Sequence, residues 1–226
     1  MTIVDWTIEN AEALDAEDLI RQGLGAFEHD IAIASSFGAE DVVLIDMAAK
    51  SGLPFRVFTL DTDFLFEETY ALIDRLQTHY GIAIERCRPA LTPAQQANIH
   101  GDALWSREPD RCCAIRKVEP LTAKLRELRA WITGIRRDQS STRANARKLE
   151  WDEKFGLWKL NPIADWNTDR VWSYIRTERV PYNPLHDRGF PSIGCTYCTR
   201  AVQPGEDPRA GRWSGFAKTE CGLHKS

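Results

Sequence analysis

A chain of 226 residues, 43% of them hydrophobic, can build one full-sized core but is short for two complete domains. Its formal net charge of -4 excludes an overall basic field for duplex nucleic acid, and no apolar run approaches the eighteen or so residues of a membrane span. Met1 to Asn10 lacks a basic and apolar leader. The sequence therefore reads as cytoplasmic, with neither nucleic acid nor membrane as partner, and its six cysteines point to metal or redox chemistry rather than disulfides.

In chain order, Ala11 to Gly23 reads as a helix, and Ile31 to Ala34 as a short buried strand. Val42 to Ala49 forms the apolar part of the next helix. Pro54 to Leu60 predicts a second strand ending in Asp61-Thr62-Asp63, followed by an amphipathic helix from Glu67 to Tyr80 that Gly81 closes. Ile82 to Cys87 predicts a third strand, Leu91 to Gly101 a helix, Cys112 to Arg129 a longer helix, and Ala130 to Ile135 a fourth strand. Such alternation implies an α/β fold, a mostly parallel sheet with helices on both faces. Asp169 to Glu178 predicts a further helix, and Pro181, Pro184, Gly189, Pro191 and Gly194 punctuate a loop-rich stretch. The chain then divides into a body over residues 1–202 and a mobile, glycine-rich, charged tail over 203–226.

Four cysteines form the sharpest chemical signal. Cys195 and Cys198 enclose two residues, a spacing that lets both sulfurs converge on one metal centre. Cys112 and Cys113 are adjacent; neighbouring helical side chains diverge by roughly 100°, which suits separate corners of a 4Fe-4S cluster better than one zinc ion. A structural zinc site and a buried apolar pair are the alternatives. Lys117, four residues after Cys113, falls on the same helix side, and Arg111 and Arg116 add positive charge that offsets a thiolate-held cluster. Cys221, in the tail, is an accessible thiol with Lys218 and His224 nearby to lower its pKa; an incidental cysteine is the alternative. Cys87 reads as a small buried hydrophobe.

Nucleotide chemistry is suggested at the strand ends. Ser35, Ser36 and Gly38 lie between the first strand and the next helix, where backbone N–H groups and hydroxyls suit a phosphate or sulfate; the same residues are also ordinary capping residues. Asp61 and Thr62 end the second strand at the carboxyl edge of the sheet, where ligands of doubly wound folds bind. Gly134, Arg136 and Arg143 belong to a polar loop at that edge, and arginine suits bidentate contact with phosphate or sulfate oxygens.

Five ordered segments together resemble the adenylyl-sulfate and phosphoadenylyl-sulfate reductase family, a branch of the adenine-nucleotide alpha-hydrolase-like fold. They are Ser36 to Asp41; Leu60-Asp61-Thr62 with Leu65 to Tyr70; Cys112 to Lys117 with Pro120-Leu121; Thr133 to Gln139; and Glu220 to His224. The resemblance implies that Cys221 is the nucleophile, that Cys112, Cys113, Cys195 and Cys198 hold a 4Fe-4S cluster, and that the substrate is adenosine 5'-phosphosulfate. It further implies that Lys117, Arg209, Arg212 and His224 supply positive charge to the reacting group, and that thioredoxin, or glutaredoxin in its place, supplies the second thiol. Homo-oligomerisation is left open. The sequence departs from the family at Asp63, where a glycine is expected; a carboxylate there repels an anionic substrate unless it points away. The stretch from Arg212 to Cys221 is also shorter than the family's. Rival readings are a reductase of the 3'-phosphorylated nucleotide or of both nucleotides, a zinc-containing sulfurtransferase acting on RNA, and a non-catalytic redox-sensing module.

Overall fold

The computed structural model describes residues 8–216, 218, 222 and 223. Among these, six strands form one sheet in the order β3-β2-β1-β4-β6-β5. β1 (Ile31–Ala34), β2 (Val57–Leu60), β3 (Ile84–Cys87), β4 (Ala130–Ile132) and β6 (Leu157–Leu160) pair in parallel, and β5 (Leu149–Asp152) runs antiparallel to β6 along one edge. The pleat sorts the side chains by alternation. Ile31, Ile33, Val57, Ala130 and Ile132 face a large core, whereas Ala32, Phe58 and Trp131 face a smaller one on the other side.

Helices cover both faces, as expected. The larger core takes apolar residues from α2 (Ala16–Phe27), α3 (Ala39–Lys50), α4 (Glu67–Tyr80) and α9 (Thr168–Glu178). In α3 every residue from Asp41 to Ala48 is buried, so it packs on all sides rather than along one stripe. The smaller core is sealed by Leu121 and Leu125 of α8 (Glu119–Leu125). α4 ends on Gly81 at φ 65°, the left-handed C-cap for which glycine carries no Cβ penalty.

Several expectations are corrected. The helix anticipated over Cys112 to Arg129 is α7 (Pro109–Cys113), a π-helical segment from Ala114 to Val118, and α8. The wider π turn rotates the following side chains relative to the cysteine pair. The β5–β6 hairpin, for which the sequence predicts no element, supplies two strands four residues long, too brief for alternation to stand out in the sequence. The helix anticipated over Ala11 to Gly23 is two, α1 (Ile8–Ala13) and α2, divided at Asp15, whose side chain caps α2; β2, β3, β4 and α5 (Pro93–His100) are shorter than expected, α3 is longer, and α6 (Leu104–Arg107), not anticipated, leads from α5 into α7.

Residues 203–216 run as successive turns against the body. Arg200 donates to both Glu206 carboxylate oxygens at 2.8 and 3.0 Å, the Trp213 amide donates to the Cys198 carbonyl at 3.0 Å, and Trp213 is buried. Contact with the body thus extends at least to Trp213.

Candidate active site

The strand order reverses between β1 and β4, and a cavity of about 370 Å³ opens beyond their carboxyl ends, the position at which doubly wound sheets bind ligands. The loop after β1 forms one wall. Phe37, fully buried, adopts φ 61°, a strained conformation of the sort that persists only where packing enforces it. It carries the chain into α3, whose N-cap, Gly38, brings no side chain to cover the helix end. Ser35, Ser36 and Gly38 line the cavity. The Ser35 hydroxyl accepts from the Phe37 amide at 3.1 Å. Ser36 is tied to Asp41, which accepts from its amide at 2.6 Å and its hydroxyl at 2.8 Å. Burial pushes the Asp41 carboxyl up to about 6 against the pull of those hydrogen bonds.

The loop after β4 forms the opposite wall. Gly134 packs so tightly on α3 that a Cβ there would lie 2.5 Å from an Asp41 carboxylate oxygen and 2.8 Å from the Glu40 Cβ. Arg136 is nearly buried and committed to protein partners: Glu40 at 2.9 Å, Asp138, and the Thr168 hydroxyl at 3.1 Å. Its fork therefore braces the wall. Arg143 donates to the Gln139 amide oxygen at 2.6 Å. Arg143, Arg209 and Arg212 all line the cavity. Arg212 donates to the Ser192 hydroxyl at 3.0 Å and the Ile193 carbonyl at 3.2 Å, and lies flat against Gly194, where any Cβ would overlap its guanidinium.

Thr62 lines the cavity, but Asp61 does not. Fully buried, Asp61 accepts from the Tyr70 hydroxyl at 2.7 Å and from Arg88 at 3.3 Å. It holds the loop after β2 instead of reaching the cavity. Asp63 is likewise absent from the lining. It adopts φ 58°, which explains why glycine suits this position, and its carboxylate turns to the buried guanidinium of Arg116 at 3.2 Å.

Behind the loop after β2 lies a second, smaller cavity lined by Cys112, Cys113, Cys195 and Cys198 with Phe64, Trp105, Arg116, Tyr197, Lys117 and Trp213. Distant segments are drawn together here: the Thr196 amide donates to the Phe64 carbonyl at 2.8 Å, Leu65 bridges Cys195, and the Thr62 hydroxyl lies 3.3 Å from the Cys195 sulfur. Tyr197 stacks on Trp105 with ring centroids 4.6 Å apart. Among the described residues, no three His, Cys, Asp or Glu side chains gather tightly enough to hold a single metal ion. The four thiols instead surround a cavity, a donor set that suits a group with several metal corners. Burial and mutual repulsion push the Cys112 and Cys198 thiols up to about 11, so as bare thiols they stay protonated at neutral pH and a metal must displace those protons. The nearby cation Arg116, whose Nε is buried without a hydrogen-bond partner, favours the charged form at Cys112. Lys117 and Arg212 do the same at Cys198.

Lys117 and Trp213 line both cavities. The π-helical segment carries Lys117 past the cysteine pair to this shared wall. Sequence reasoning singled out Lys117 but missed Trp213, Asp41 and the Thr62 link to Cys195, which depend on contacts between segments far apart in the chain. Cys221 and His224 lie outside the described residues, although Leu223 lines the larger cavity. Lys218 pairs with Asp110 at the start of α7 and lies over the Trp213 ring. Cys87 is half-buried, and burial beside Glu85 pushes its thiol up to about 11.

A phosphoadenosine phosphosulfate reductase domain matches residues 30–201, which include most of the residues lining both cavities. The chain belongs to that family. The adenosine 5'-phosphosulfate reductase of Halalkalibacterium halodurans is 46% identical over 215 residues, 95% of this chain and 93% of that protein. The phosphoadenosine 5'-phosphosulfate reductase of Gloeobacter violaceus is 47% identical over 226 residues, 99% and 94% respectively. The phosphoadenylyl-sulfate reductase of Candida auris, solved as a phosphate complex, superposes with a TM-score of 0.76 at 27% identity, covering 89% of this chain and 99% of that one. This reductase-family fold accounts for the mostly parallel sheet.

Proposed function

We propose that the chain reduces adenosine 5'-phosphosulfate to sulfite and AMP in sulfate assimilation, with Cys221 as nucleophile and thioredoxin as reductant. The observation that carries this reading is the junction of the two cavities: a nucleotide-sized cleft with a helix N-terminus and arginines adjoins a four-cysteine cavity across Lys117. The family, and its adenosine 5'-phosphosulfate reductase members at 43–46% identity, supply the reaction class.

The Cys221 thiolate attacks the sulfur of the sulfuryl group. The bond from that sulfur to the bridging oxygen breaks, AMP leaves with the electron pair, and an S-sulfonated cysteine remains. Negative charge accumulates around sulfur during the attack, where Lys117, Arg209, Arg212 and His224 provide positive charge. Ser35, Ser36, Gly38 and the α3 N-terminus receive the phosphate or sulfate oxygens, and Thr62, Gly134, Arg136 and Arg143 shape the nucleotide's seat. A thioredoxin thiol then attacks the Cys221 sulfur and expels sulfite, and its partner thiol resolves the mixed disulfide. Both reducing electrons come from that dithiol; glutaredoxin can serve in the same role.

Cys112, Cys113, Cys195 and Cys198 are the proposed ligands of a 4Fe-4S cluster, which when bound supplies fixed charge beside the reacting sulfur. No helix among the described residues is long and apolar enough to cross a membrane, in keeping with a cytoplasmic enzyme. Turnover of the 3'-phosphorylated nucleotide is a second reading, favoured by the Gloeobacter relative. The test is sulfite release from each nucleotide with thioredoxin, alongside iron, acid-labile sulfide and zinc analysis of anaerobically purified protein. Near-equal iron and sulfide, and sulfite formation abolished by Cys221→Ser, are expected. Stoichiometric zinc without sulfide, or a Cys221→Ser protein that still forms sulfite, overturns the scheme.

A further inference from the structure

The turn between β5 and β6 contributes to neither cavity, yet Gly222 and Leu223 rest against it. Lys154, in that turn, donates its ammonium to the Gly222 carbonyl. Leu223, half-buried, packs against the apolar cluster of Leu121, Leu125, Trp131 and Leu157, which Phe155 of the same turn joins, and it lines the nucleotide cavity. Gly222 at φ 84° makes the bend that points its carbonyl at the turn and its neighbour into the cluster. The turn is itself well fixed: the Gly156 amide donates to the Asp152 carbonyl at 2.7 Å, and Phe155 meets Trp131 edge-on with ring centroids 6.0 Å apart.

We infer that the β5–β6 turn is a seat for the C-terminal segment, in which Lys154 and the Leu223 pocket are positioning elements for the nucleophile of the first half-reaction. Gly222 follows Cys221 directly, so fixing the Gly222 carbonyl and the Leu223 side chain restrains the thiol's approach to the cavity. Lys154 lines neither cavity; its ammonium reaches the Gly222 carbonyl and lies over the Phe155 ring. The seat also opposes the second half-reaction, because a reductant must draw the same segment toward its own thiol. This inference rests on the proposed role of Cys221, but the seat itself does not.

Two measurements on the full chain separate the two. Deuterium uptake by the C-terminal peptide, residues 217–226, reads the seat directly. Lys154→Gln and Leu223→Ala should raise it, and Lys154→Arg should leave it near the parent value. Single-turnover S-sulfonation of Cys221 by adenosine 5'-phosphosulfate, followed by mass spectrometry, reads its consequence. Lys154→Gln should slow this step about tenfold, roughly what a charge-assisted hydrogen bond is worth. AMP affinity should hold, and thioredoxin-driven sulfite release from pre-sulfonated protein should be unchanged or faster. Unchanged uptake in both Lys154→Gln and Leu223→Ala overturns the seat, and changed uptake with a parental sulfonation rate overturns its role in positioning. A parent protein that is never sulfonated overturns the functional reading and with it the positioning role, while uptake still decides the seat.

Discussion

Folding places the Asp41 carboxyl between the Ser36 donors and the Gly134 backbone, and its pKa rises from 3.8 to about 6. A carboxyl with a raised pKa binds its proton more tightly folded than unfolded, so from about pH 4 to about pH 6 this group lowers stability as pH rises. Above that window the cost of the buried charge is fully present, on the order of 1–3 kcal/mol. Asp41→Asn keeps an acceptor for the Ser36 amide but removes the charge. Urea unfolding across pH should show the variant gaining on the parent from pH 4 to pH 6 and then holding that gain; a difference flat with pH refutes the assignment. Asp63 presents the opposite case, a strained carboxylate repaid by a partner. Asp63→Ala keeps the positive φ, which costs an ordinary residue roughly 1–2 kcal/mol, and leaves buried Arg116 without its carboxylate. Asp63→Gly relieves the strain and loses only the pair, so it should melt above the alanine variant. A lower melting point for glycine than for alanine counts against this account. Asp63 stood out in the sequence because a glycine was expected there, but its pairing with Arg116, 53 positions away, was not visible. By contrast, all four cysteines were legible, since each pair is close in sequence and a shared site was the economical reading.

Among the elements, the β5–β6 hairpin was the least legible and is also where pairing matters most. Glu150 faces Lys159 across the two strands, and its carboxylate meets the nearly buried Lys159 ammonium at 2.8 Å and the Asn161 amide at 3.1 Å. Lys159 in turn lies over the Trp131 ring, on the face that seats Leu223. A lysine is ordinarily solvent-facing; the register with Glu150, with Asp152 nearby, makes the burial of Lys159 tolerable. Glu150→Ala removes the carboxylate bonded to that ammonium, leaving only the weaker pull of Asp152, and should cost roughly 2 kcal/mol, moderated because Glu150 is itself partly exposed. Glu150→Gln retains both acceptor contacts and should cost less than half as much. Thermal unfolding of the two variants checks the order, and equal losses would show that charge pairing contributes little. The α7–α8 region was misread for a related reason: apolar spacing tracks a helix well but carries no mark of one extra residue per turn, so the π segment was invisible until backbone hydrogen bonds were known.

At the scale of the whole molecule, one lysine joins two chemistries. The strand reversal between β1 and β4 opens the larger cavity, α7 and the stretch after α9 bring the cysteines together behind it, and Lys117 stands in the wall between the two cavities with Trp213. A cation so placed can serve substrate binding, the reacting sulfuryl group, or the cysteine cavity, and kinetics distinguish the three. If Lys117 stabilises charge that builds up during attack on sulfur, Lys117→Ala should lower kcat by about 10²–10³-fold, as loss of one transition-state donor does elsewhere, with KM nearly unchanged. Lys117→Arg keeps the charge but spreads it over a wider fork, and should recover part of the rate. Iron and sulfide content should stay at the parent level in both variants, because the thiols and Arg116 remain in place around the second cavity. A rise in KM with kcat preserved would move Lys117 to ground-state binding of the nucleotide's anionic groups. Loss of iron in the alanine variant would instead assign the residue to the cysteine site, and the shared wall would then be a structural partition between the two cavities.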